Sequence, residues 1–342
     1  MTSTVPVIDI EKWVEGTADE RNAIAASVDD ACRRVGFMQI TGHGVDGSVD
    51  HLTAAIDEFF ALPGPVKQRV VAPRPSINRG YTPPRSERLS YSLGVVSPDD
   101  LFEAFNVGSA VSDFPGQALD AEIYAENIWP SFDGASEFRR GVETWFAAAG
   151  SVARRMTEIF SVALGLPPDH IGRSTVHSID VLRLNHYAVP DGVIVEEAQM
   201  GMGAHTDYGI VTVLWADPVP GLEILLSDGS WLPVLPEPGA LLINLGDLLA
   251  RWTNDRWRST MHRVSPPRDA SGRLVRRRSA AFFHDGDADA TISTLAPCRA
   301  PDGSSSYDDV TVADHLAQKL GGSRALELNP HAEREAARIL PS

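Results

Sequence analysis

The chain is short of cysteine and lysine. Its 342 residues include two cysteines, Cys32 and Cys298, and three lysines, Lys12, Lys67 and Lys319. Neither cysteine belongs to a CxxC pair, so the sequence argues against a disulfide framework and against a thiolate zinc site. A chain without disulfides suits a reducing compartment, and we therefore predict a cytoplasmic protein.

Positive charge is also scarce. Lys and Arg together number 30 against 46 Asp and Glu, which gives a formal net charge of −16 at pH 7. Nucleic acids and anionic membranes repel such a surface, so we expect neither as a partner. No run approaches the roughly 18 apolar residues of a membrane-spanning helix, and no export signal is expected at the N-terminus. Nothing in the sequence indicates the oligomeric state.

The first half of the chain has the pattern of helices. A capping box at Thr17–Glu20 precedes an apolar face with helical spacing, and Gly36 follows where that helix ends. A second helix is predicted to end before Pro63, and a long one to run from Gly134 to Leu164. Residues 72–100, which are rich in Pro, Ser, Gly and Arg, are predicted to form a long ordered loop.

From about residue 178 the pattern changes to short apolar stretches separated by turn residues. An extended run opens at Ile179, and further strands are predicted at residues 210–215, 222–226, 231–235, 240–245 and 279–284. Many short strands at this spacing are typical of a β-sandwich or barrel. The predicted fold is mainly β, with flanking helices that come first in the chain.

The most informative segment contains His205 and Asp207. Their side chains lie two positions apart and so share one face of a strand or its end. A lone His-x-Asp is weak, because a surface histidine beside a carboxylate explains it equally well. The presence of His262 further along the chain strengthens it, since two imidazoles and one carboxylate form the facial triad of non-haem Fe(II) oxygenases.

A second pair follows in the strand that continues into Phe283. Arg277 and Ser279 alternate onto one face, where a guanidinium and a hydroxyl can bind one carboxylate together. A solvated basic patch is the alternative, and it suits Arg276 and Arg278 well. It explains less well an arginine and a serine that share a face in an otherwise apolar strand.

Together these residues resemble the signature of the Fe(II)/2-oxoglutarate-dependent dioxygenases, and more narrowly that of the isopenicillin N synthase-like branch. The resemblance covers almost the whole chain and is carried in order by further segments: Val5–Asp9, Gly36–Gly44, Arg79-Gly80-Tyr81, Asn127-x-Trp129-Pro130, Leu182-Arg183-x-Asn185-x-Tyr187, Gly239–Asp247, Arg251–Asn254 and Arg258–Val264.

The resemblance implies a double-stranded β-helix core, or jelly roll, after a helix-rich N-terminal region. It divides the chain into an N-terminal region (1–130), a long helix and connection (131–177), the core (178–290) and a C-terminal helical extension (291–342). His205, Asp207 and His262 are then implied as Fe(II) ligands. The implied 2-oxoglutarate residues are Arg277, Ser279, Tyr187 and Asn185.

The implied activity is oxidation of a small molecule in specialised metabolism, with dioxygen as oxidant and decarboxylation of 2-oxoglutarate to succinate. Hydroxylation is the default outcome, and desaturation or cyclisation are variants. Asp207 argues against a halogenase, which has a small residue in place of the carboxylate ligand. Two alternatives stay open: an isopenicillin N synthase-type oxidase without 2-oxoglutarate, whose substrate carboxylate meets Arg277 and Ser279, and a non-catalytic binding protein.

Three residues are predicted to contact the substrate. Phe283 is expected to line the pocket, and Arg79 and Tyr81 to help bind the substrate. Arg79 or Arg85 would suit an anionic or polar molecule, although solvated loop arginines explain them equally well. Residues 190–201 are a candidate cover for the pocket mouth. Two further residues are predicted to support the site from turns without being catalytic, namely Asn244 and Asp247.

Overall fold

A computed structural model describes residues 5–90, 97–188, 195 and 199–324. Helices α1–α7 span Lys12–Glu15, Ala18–Arg34, Val49–Phe60, Gly64–Gln68, Ala135–Ala163, Asp247–Trp252 and Val312–Arg324. Strands β1–β14 span Val7–Asp9, Phe37–Thr41, Gly80–Thr82, Glu103–Gly108, Val181–Tyr187, Met202–His205, Val211–Ala216, Leu222–Leu225, Trp231–Pro233, Leu241–Leu245, His262–Val264, Arg277–His284, Thr291–Ile292 and Val310–Thr311.

Two sheets build the core. The major sheet has the order β1-β2-β10-β7-β12-β5-β4-β3, and the minor sheet has the order β6-β11-β8-β9. Every pairing in them is antiparallel except that of β1 with β2. One apolar cluster contains Phe37 and Leu242 of the major sheet together with Ile224 and Val264 of the minor sheet. The inner faces of the two sheets therefore pack on each other as a jelly roll.

Helices cover the other face of the major sheet. Alternate residues of a strand point to opposite faces, and on β12 this places Ala280 and Phe282 in the larger apolar cluster. The ring of Phe282 packs edge-on against Phe146 of α5, with 5.1 Å between centroids. Helices α2 and α3 pack on α5 in turn. The remaining residues of β12 face the space between the sheets, where the site forms.

The helical predictions are confirmed. Thr17 and Glu20 form the capping box at the start of α2, with Glu20 Oε2 accepting from Thr17 N at 2.7 Å. Gly36 follows with φ +70°, and a Cβ there would lie 2.3 Å from the carbonyl oxygen of Arg258, so only glycine fits. Helix α5 begins one residue after Gly134 and ends at Ala163. In the described part of the chain, no helix combines the length and apolarity that a membrane span requires.

Several elements differ from the prediction. The expected loop at 72–100 contains strand β3, and residues 91–96 of that loop lie outside the described residues. Six further strands were not predicted, namely β1, β4, β6, β11, β13 and β14. Asn244 lies in strand β10 and not in a turn, whereas Asp247 opens α6. The four-part division of the chain stays a prediction, and the major sheet joins strands of its first part to strands of its third.

Candidate active site

A cavity of about 440 Å³ lies between the two sheets. Strands β5, β7, β10 and β12 contribute to its wall from the major sheet, and β6, β8 and β11 contribute from the minor sheet. Helix α7 adds a third, apolar part of the wall, formed by Ala313, Leu316, Ala317 and Leu320. These four residues recur at helical spacing and so share one face of α7.

The predicted triad comes together in this cavity. His205 ends β6, and His262 begins β11 directly opposite it in the antiparallel pairing. Nε2 of His205 lies 3.8 Å from Oδ1 of Asp207, and Nε2 of His262 lies 3.7 Å from the same oxygen. All three side chains are buried, and one ligand atom from each lies within 4.8 Å of the others.

Hydrogen bonds orient each member of the triad. Nδ1 of His205 lies 2.7 Å from the carbonyl oxygen of Gly203, and Nδ1 of His262 lies 3.2 Å from that of Thr260. Because a carbonyl only accepts, both rings carry the proton on Nδ1 and leave the Nε2 lone pair for a metal.

The carboxylate of Asp207 is oriented in the same way. Its Oδ2 accepts hydrogen bonds from the Thr212 hydroxyl and from the Asn244 amide, the latter at 2.6 Å. Its Oδ1 is the oxygen that faces the two imidazoles. The two oxygens thus have separate roles, one fixed by the protein and one available to a metal.

The electrostatics of the triad suit a divalent cation. Burial, followed by the proximity of His262, lowers the pKa of His205 to about 4, so its imidazole is neutral near pH 7. Two neutral imidazoles and one carboxylate form the donor set that Fe(II) takes in oxygenases with open coordination positions. The residues present therefore fit Fe(II).

A buried cation lies further along the same cavity wall. Arg277 is 2% exposed, and its Nε and Nη1 have no hydrogen-bond partner among the described residues. Its guanidinium carbon lies 5.3 Å from the centroid of the Tyr187 ring. Burial lowers the pKa of Arg277 from its ordinary value, because desolvation penalises the charged form. Ser279 points into the cavity from the same face, so the pair fits a carboxylate such as that of 2-oxoglutarate.

Asn185 and Tyr187 complete this end of the cavity from β5. The Asn185 amide lies 3.4 Å from the Ser279 hydroxyl oxygen, and its Oδ1 accepts from Nε of Arg183 at 3.2 Å. Strand register explains the grouping, since Tyr187 lies opposite Arg277 and Asn185 opposite Ser279. All four residues predicted to bind 2-oxoglutarate therefore line the cavity.

The residues predicted for the substrate are placed less uniformly. Phe283 lines the cavity. Arg79 lines it too, but its guanidinium donates to the backbone carbonyls of Ala125, Asn78 and Ser109 at 2.7–3.0 Å. Tyr81 is not among the cavity residues, and its hydroxyl donates to Glu103 at 2.5 Å. Arg85 is exposed and also lies outside the cavity wall.

Sequence reasoning missed three features of this site. Glu87 and Arg183 form a buried ion pair of 2.7 Å on the cavity wall, and nothing in the sequence links residues so far apart. Lys319 of α7 forms a second one with Asp247. Asp285 extends the alternation of Arg277, Ser279 and Phe283 along the cavity, which is a signal that the sequence did contain.

Two family models match the chain. One, described as "non-haem dioxygenase in morphine synthesis N-terminal", matches residues 5–132, and the other, "2OG-Fe(II) oxygenase superfamily", matches residues 178–286. Validamycin A dioxygenase of Streptomyces hygroscopicus subsp. limoneus is 33% identical over 325 residues, which cover 93% of this chain and 86% of that protein. The chain belongs to the 2OG-Fe(II) oxygenase superfamily.

Other members of the superfamily are similar over comparable lengths. The 2-oxoglutarate-dependent dioxygenase citB of Monascus ruber is 32% identical and covers 92% of this chain and 94% of its own. Among solved structures, a full-length Neurospora crassa protein in complex with α-KG and thymine aligns with a TM-score of 0.82 at 26% identity, over 93% of this chain and 96% of that one.

This oxygenase therefore uses Fe(II) as its metal and 2-oxoglutarate as its co-substrate. The jelly-roll fold, the reaction class and both cofactors predicted from the sequence are confirmed. The names of the relatives favour a 2-oxoglutarate-dependent enzyme over the oxidase without 2-oxoglutarate and over the non-catalytic binding protein.

Proposed function

We propose that this cavity performs 2-oxoglutarate-dependent hydroxylation of a small molecule, with named residues in three roles. His205, Asp207 and His262 hold Fe(II). Arg277 and Ser279 bind the distal carboxylate of 2-oxoglutarate, and Tyr187 and Asn185 support it. The observation that carries this proposal is that the buried triad and the buried guanidinium of Arg277, with two nitrogen atoms left without partners, share one cavity.

The protein's own part in the reaction is binding, orientation and exclusion of water. When bound, Fe(II) with 2-oxoglutarate and dioxygen supplies C–H oxidation, in which one oxygen atom goes to succinate and the other to the product alcohol. The Nδ1–H groups of His205 and His262 donate to backbone carbonyls, and this orientation would present both Nε2 atoms to the metal. Apolar walls at Leu214, Ala281 and Phe283 exclude water from the reacting C–H bond.

We also propose finer assignments, among them a small-molecule substrate in specialised metabolism, which the names of the relatives support. We place the enzyme in the isopenicillin N synthase-like branch because the branch motifs occur in order along the chain. We place it in the cytoplasm because Cys32 and Cys298 are both free and buried, and its net charge disfavours nucleic acid and membranes as partners. Phe283 is proposed to contact the substrate. The substrate roles of Arg79, Tyr81 and residues 190–201 stay predictions, and most of that last segment lies outside the described residues.

The first test is spectroscopic. Purified protein is incubated anaerobically with Fe(II) and 2-oxoglutarate, the visible charge-transfer band of the chelate is recorded, and succinate is measured after dioxygen is admitted. We expect both signals in the wild type and neither in His262→Ala. Two ligands would remain in that variant, and loss of even a group that supports a ligand lowers metal affinity about 10- to 100-fold.

His51→Ala is the matched control, because His51 is exposed and lies outside the cavity. It should retain the band and the succinate. A wild-type protein that binds Fe(II) but shows neither signal with 2-oxoglutarate would contradict the proposal and favour the oxidase that binds a substrate carboxylate at Arg277.

A further inference from the structure

Strand β12 carries a row of side chains past the triad. Arg277, Ser279, Ala281 and Phe283 all line the cavity, and Asp285 continues the row just after the strand ends. The register with β7 places Phe283 opposite Thr212, whose hydroxyl donates to Asp207. Asp285 therefore lies beyond the proposed metal, and Arg277 lies on the opposite side of it. If Arg277 binds 2-oxoglutarate, Asp285 belongs to the end of the cavity that remains for the substrate.

The carboxyl group of Asp285 faces that end without a protein partner. The residue is 8% exposed and lines the cavity. Among the described residues, none forms a hydrogen bond or an ion pair with its side chain. Burial, and then the nearby carboxylates of Asp180 and Asp207, raise the pKa of this carboxyl well above its ordinary value, so a cation or a hydrogen-bond donor from a ligand would stabilise its ionised form.

The backbone next to the triad holds this carboxyl in place. A Cβ built on Gly209 would lie 1.7 Å from Oδ1 of Asp285, so the carboxyl occupies the space that any side chain at position 209 would need. Gly209 follows Asp207 by two residues. The packing therefore fixes the carboxyl against the segment that carries the proposed metal ligands.

The other two arginines that line the cavity, Arg79 and Arg183, are already engaged. Arg183 pairs with Glu87 at 2.7 Å and also donates to Asn185. The guanidinium of Arg79 donates to three backbone carbonyls. An anionic substrate would therefore have to displace these contacts, whereas a hydrogen-bond donor would meet Asp285 directly. The wall also carries apolar residues, namely Ile179, Val181, Ala281, Phe283, Leu316 and Leu320, together with the polar residues Ser76, Asn78 and Glu122.

We propose that Asp285 selects the substrate by accepting a hydrogen bond from an amine or hydroxyl group, while the apolar body of the substrate packs on Phe283 and Leu316. The substrate class is thus a small neutral or cationic molecule that bears a donor, and a carboxylate is disfavoured. This inference rests on the proposed function, because it takes Arg277 as the anchor of 2-oxoglutarate.

The test uses three probes with the same carbon skeleton: cyclohexylmethylamine, cyclohexylmethanol and cyclohexanecarboxylate. Each is titrated calorimetrically into the anaerobic Fe(II)–2-oxoglutarate protein at pH 7. We expect the amine and the alcohol to bind at least about tenfold more tightly than the carboxylate, a difference the size of one net hydrogen bond. Asp285→Ala should abolish this preference, and Asp285→Asn should keep it for the alcohol but lose it for the amine.

Asp289→Asn is the matched control, since its side chain is 81% exposed and the chemical change is the same. It should bind all three probes as the wild type does. A wild type that binds the carboxylate as tightly as the amine, or binds none of the probes, overturns the inference. So does an Asp285→Ala protein, shown to be folded by circular dichroism, that keeps the wild-type preference.

The chelate band separates failure of this inference from failure of the proposed function. If the band forms but the probes show no preference, Asp285 has no role in selection and the oxygenase assignment stands. If the band does not form in the wild type, the assignment of Arg277 to 2-oxoglutarate is wrong, and the inference about the substrate end fails with it.

Discussion

At the scale of single residues, the sequence motif predicts the three proposed metal ligands but not the residues that orient them. His205, Asp207 and His262 were predictable because ligand chemistry restricts the residue types and their spacing. Thr212 and Asn244, which hold Oδ2 of Asp207, were not, because only the register of β7 with β10 brings them together. Residue identity predicts a donor set, whereas the orientation of each donor depends on strand pairing.

Asp100 provides a prediction about pH. Its carboxyl accepts from the backbone N–H groups of Gly203 and Leu89, and burial raises its pKa from the ordinary 3.8 to about 7. The folded state therefore favours the protonated form. The stability that Asp100 contributes is complete below about pH 4 and is lost as the pH rises to about 7, by up to about 4 kcal/mol.

Asp100→Asn removes this titration and adds a cost that does not vary with pH. We expect the free energy of unfolding of the variant minus that of the wild type to become more positive as the pH rises from 5.5 to 8. Urea denaturation at several pH values within that range measures it. Asp228→Asn, an exposed change, is the control. A difference between variant and wild type that stays constant with pH would show that Asp100 has its ordinary pKa.

At the scale of elements, α5 was predictable and the strands of the minor sheet were less so. The long apolar face of α5 repeats over eight turns of helix. Strands β6 and β11 each consist of three or four residues and carry the ligand histidines, so they lack the alternation that identifies a strand. Strands are recognised in a sequence by the alternation of buried apolar side chains. The strands that carry the proposed metal ligands have buried polar side chains instead, so this signal is missing from them.

Helix α7 supports a prediction about stability. Nζ of Lys319 lies 2.8 Å from Oδ2 of Asp247, and both side chains are 2% exposed. The same carboxylate accepts from the hydroxyl of Thr206, between the two proposed ligands His205 and Asp207. We expect Lys319→Met to lower the free energy of unfolding by about 3–5 kcal/mol, because it leaves a buried carboxylate without its cation.

Denaturant unfolding of Lys319→Met and Lys12→Met measures this effect. Lys12 is exposed, and its substitution should change stability by no more than about 0.5 kcal/mol. The double variant Lys319→Met/Asp247→Asn should recover part of the loss, since it removes the unpaired charge. Equal stability of the two single variants would show that the ion pair does not anchor α7.

At the scale of the whole molecule, the order of elements and the reaction class could be predicted from the sequence. The set of residues that line the substrate end of the cavity could not. The family segments occur along nearly all of the chain, and they predicted the jelly roll and its cofactors. The walls of the cavity combine residues from Pro75 to Gly321. Contacts between segments so far apart depend on the folded chain, and for that reason the Glu87–Arg183 pair emerged only from the structure, whereas the alternation of β12 already pointed to Asp285.

We further predict that Arg277 lowers the stability of the ligand-free protein and is required for stabilisation by 2-oxoglutarate. Its Nε and Nη1, which have no partner among the described residues, are a cost to the ligand-free fold. Arg277→Met should therefore be as stable as the ligand-free wild type, or more stable by about 1–3 kcal/mol. With Fe(II) present throughout, the wild type should gain about 2.7 kcal/mol from 2-oxoglutarate at about 100 times its Kd, and the variant should gain much less at the same concentration.

Anaerobic calorimetric unfolding with and without 2-oxoglutarate measures both effects. Arg276→Met is the matched control, because Arg276 is half exposed and pairs with Asp57 at the surface. It should respond to 2-oxoglutarate as the wild type does. A ligand-free Arg277→Met protein that is clearly less stable than the wild type would show that the guanidinium already has a stabilising partner.

The burial of Arg277 inside a chain of net charge −16 also separates the two rate constants of co-substrate binding. The 2-oxoglutarate dianion must cross a negative exterior before it meets the cation, so association is slowed by repulsion that dissolved salt screens. Dissociation breaks a contact that ions from solution do not reach. Higher ionic strength should therefore increase the association rate constant of 2-oxoglutarate and leave its dissociation rate constant almost unchanged. An enzyme whose surface attracts its anionic ligand shows the opposite dependence of association on salt.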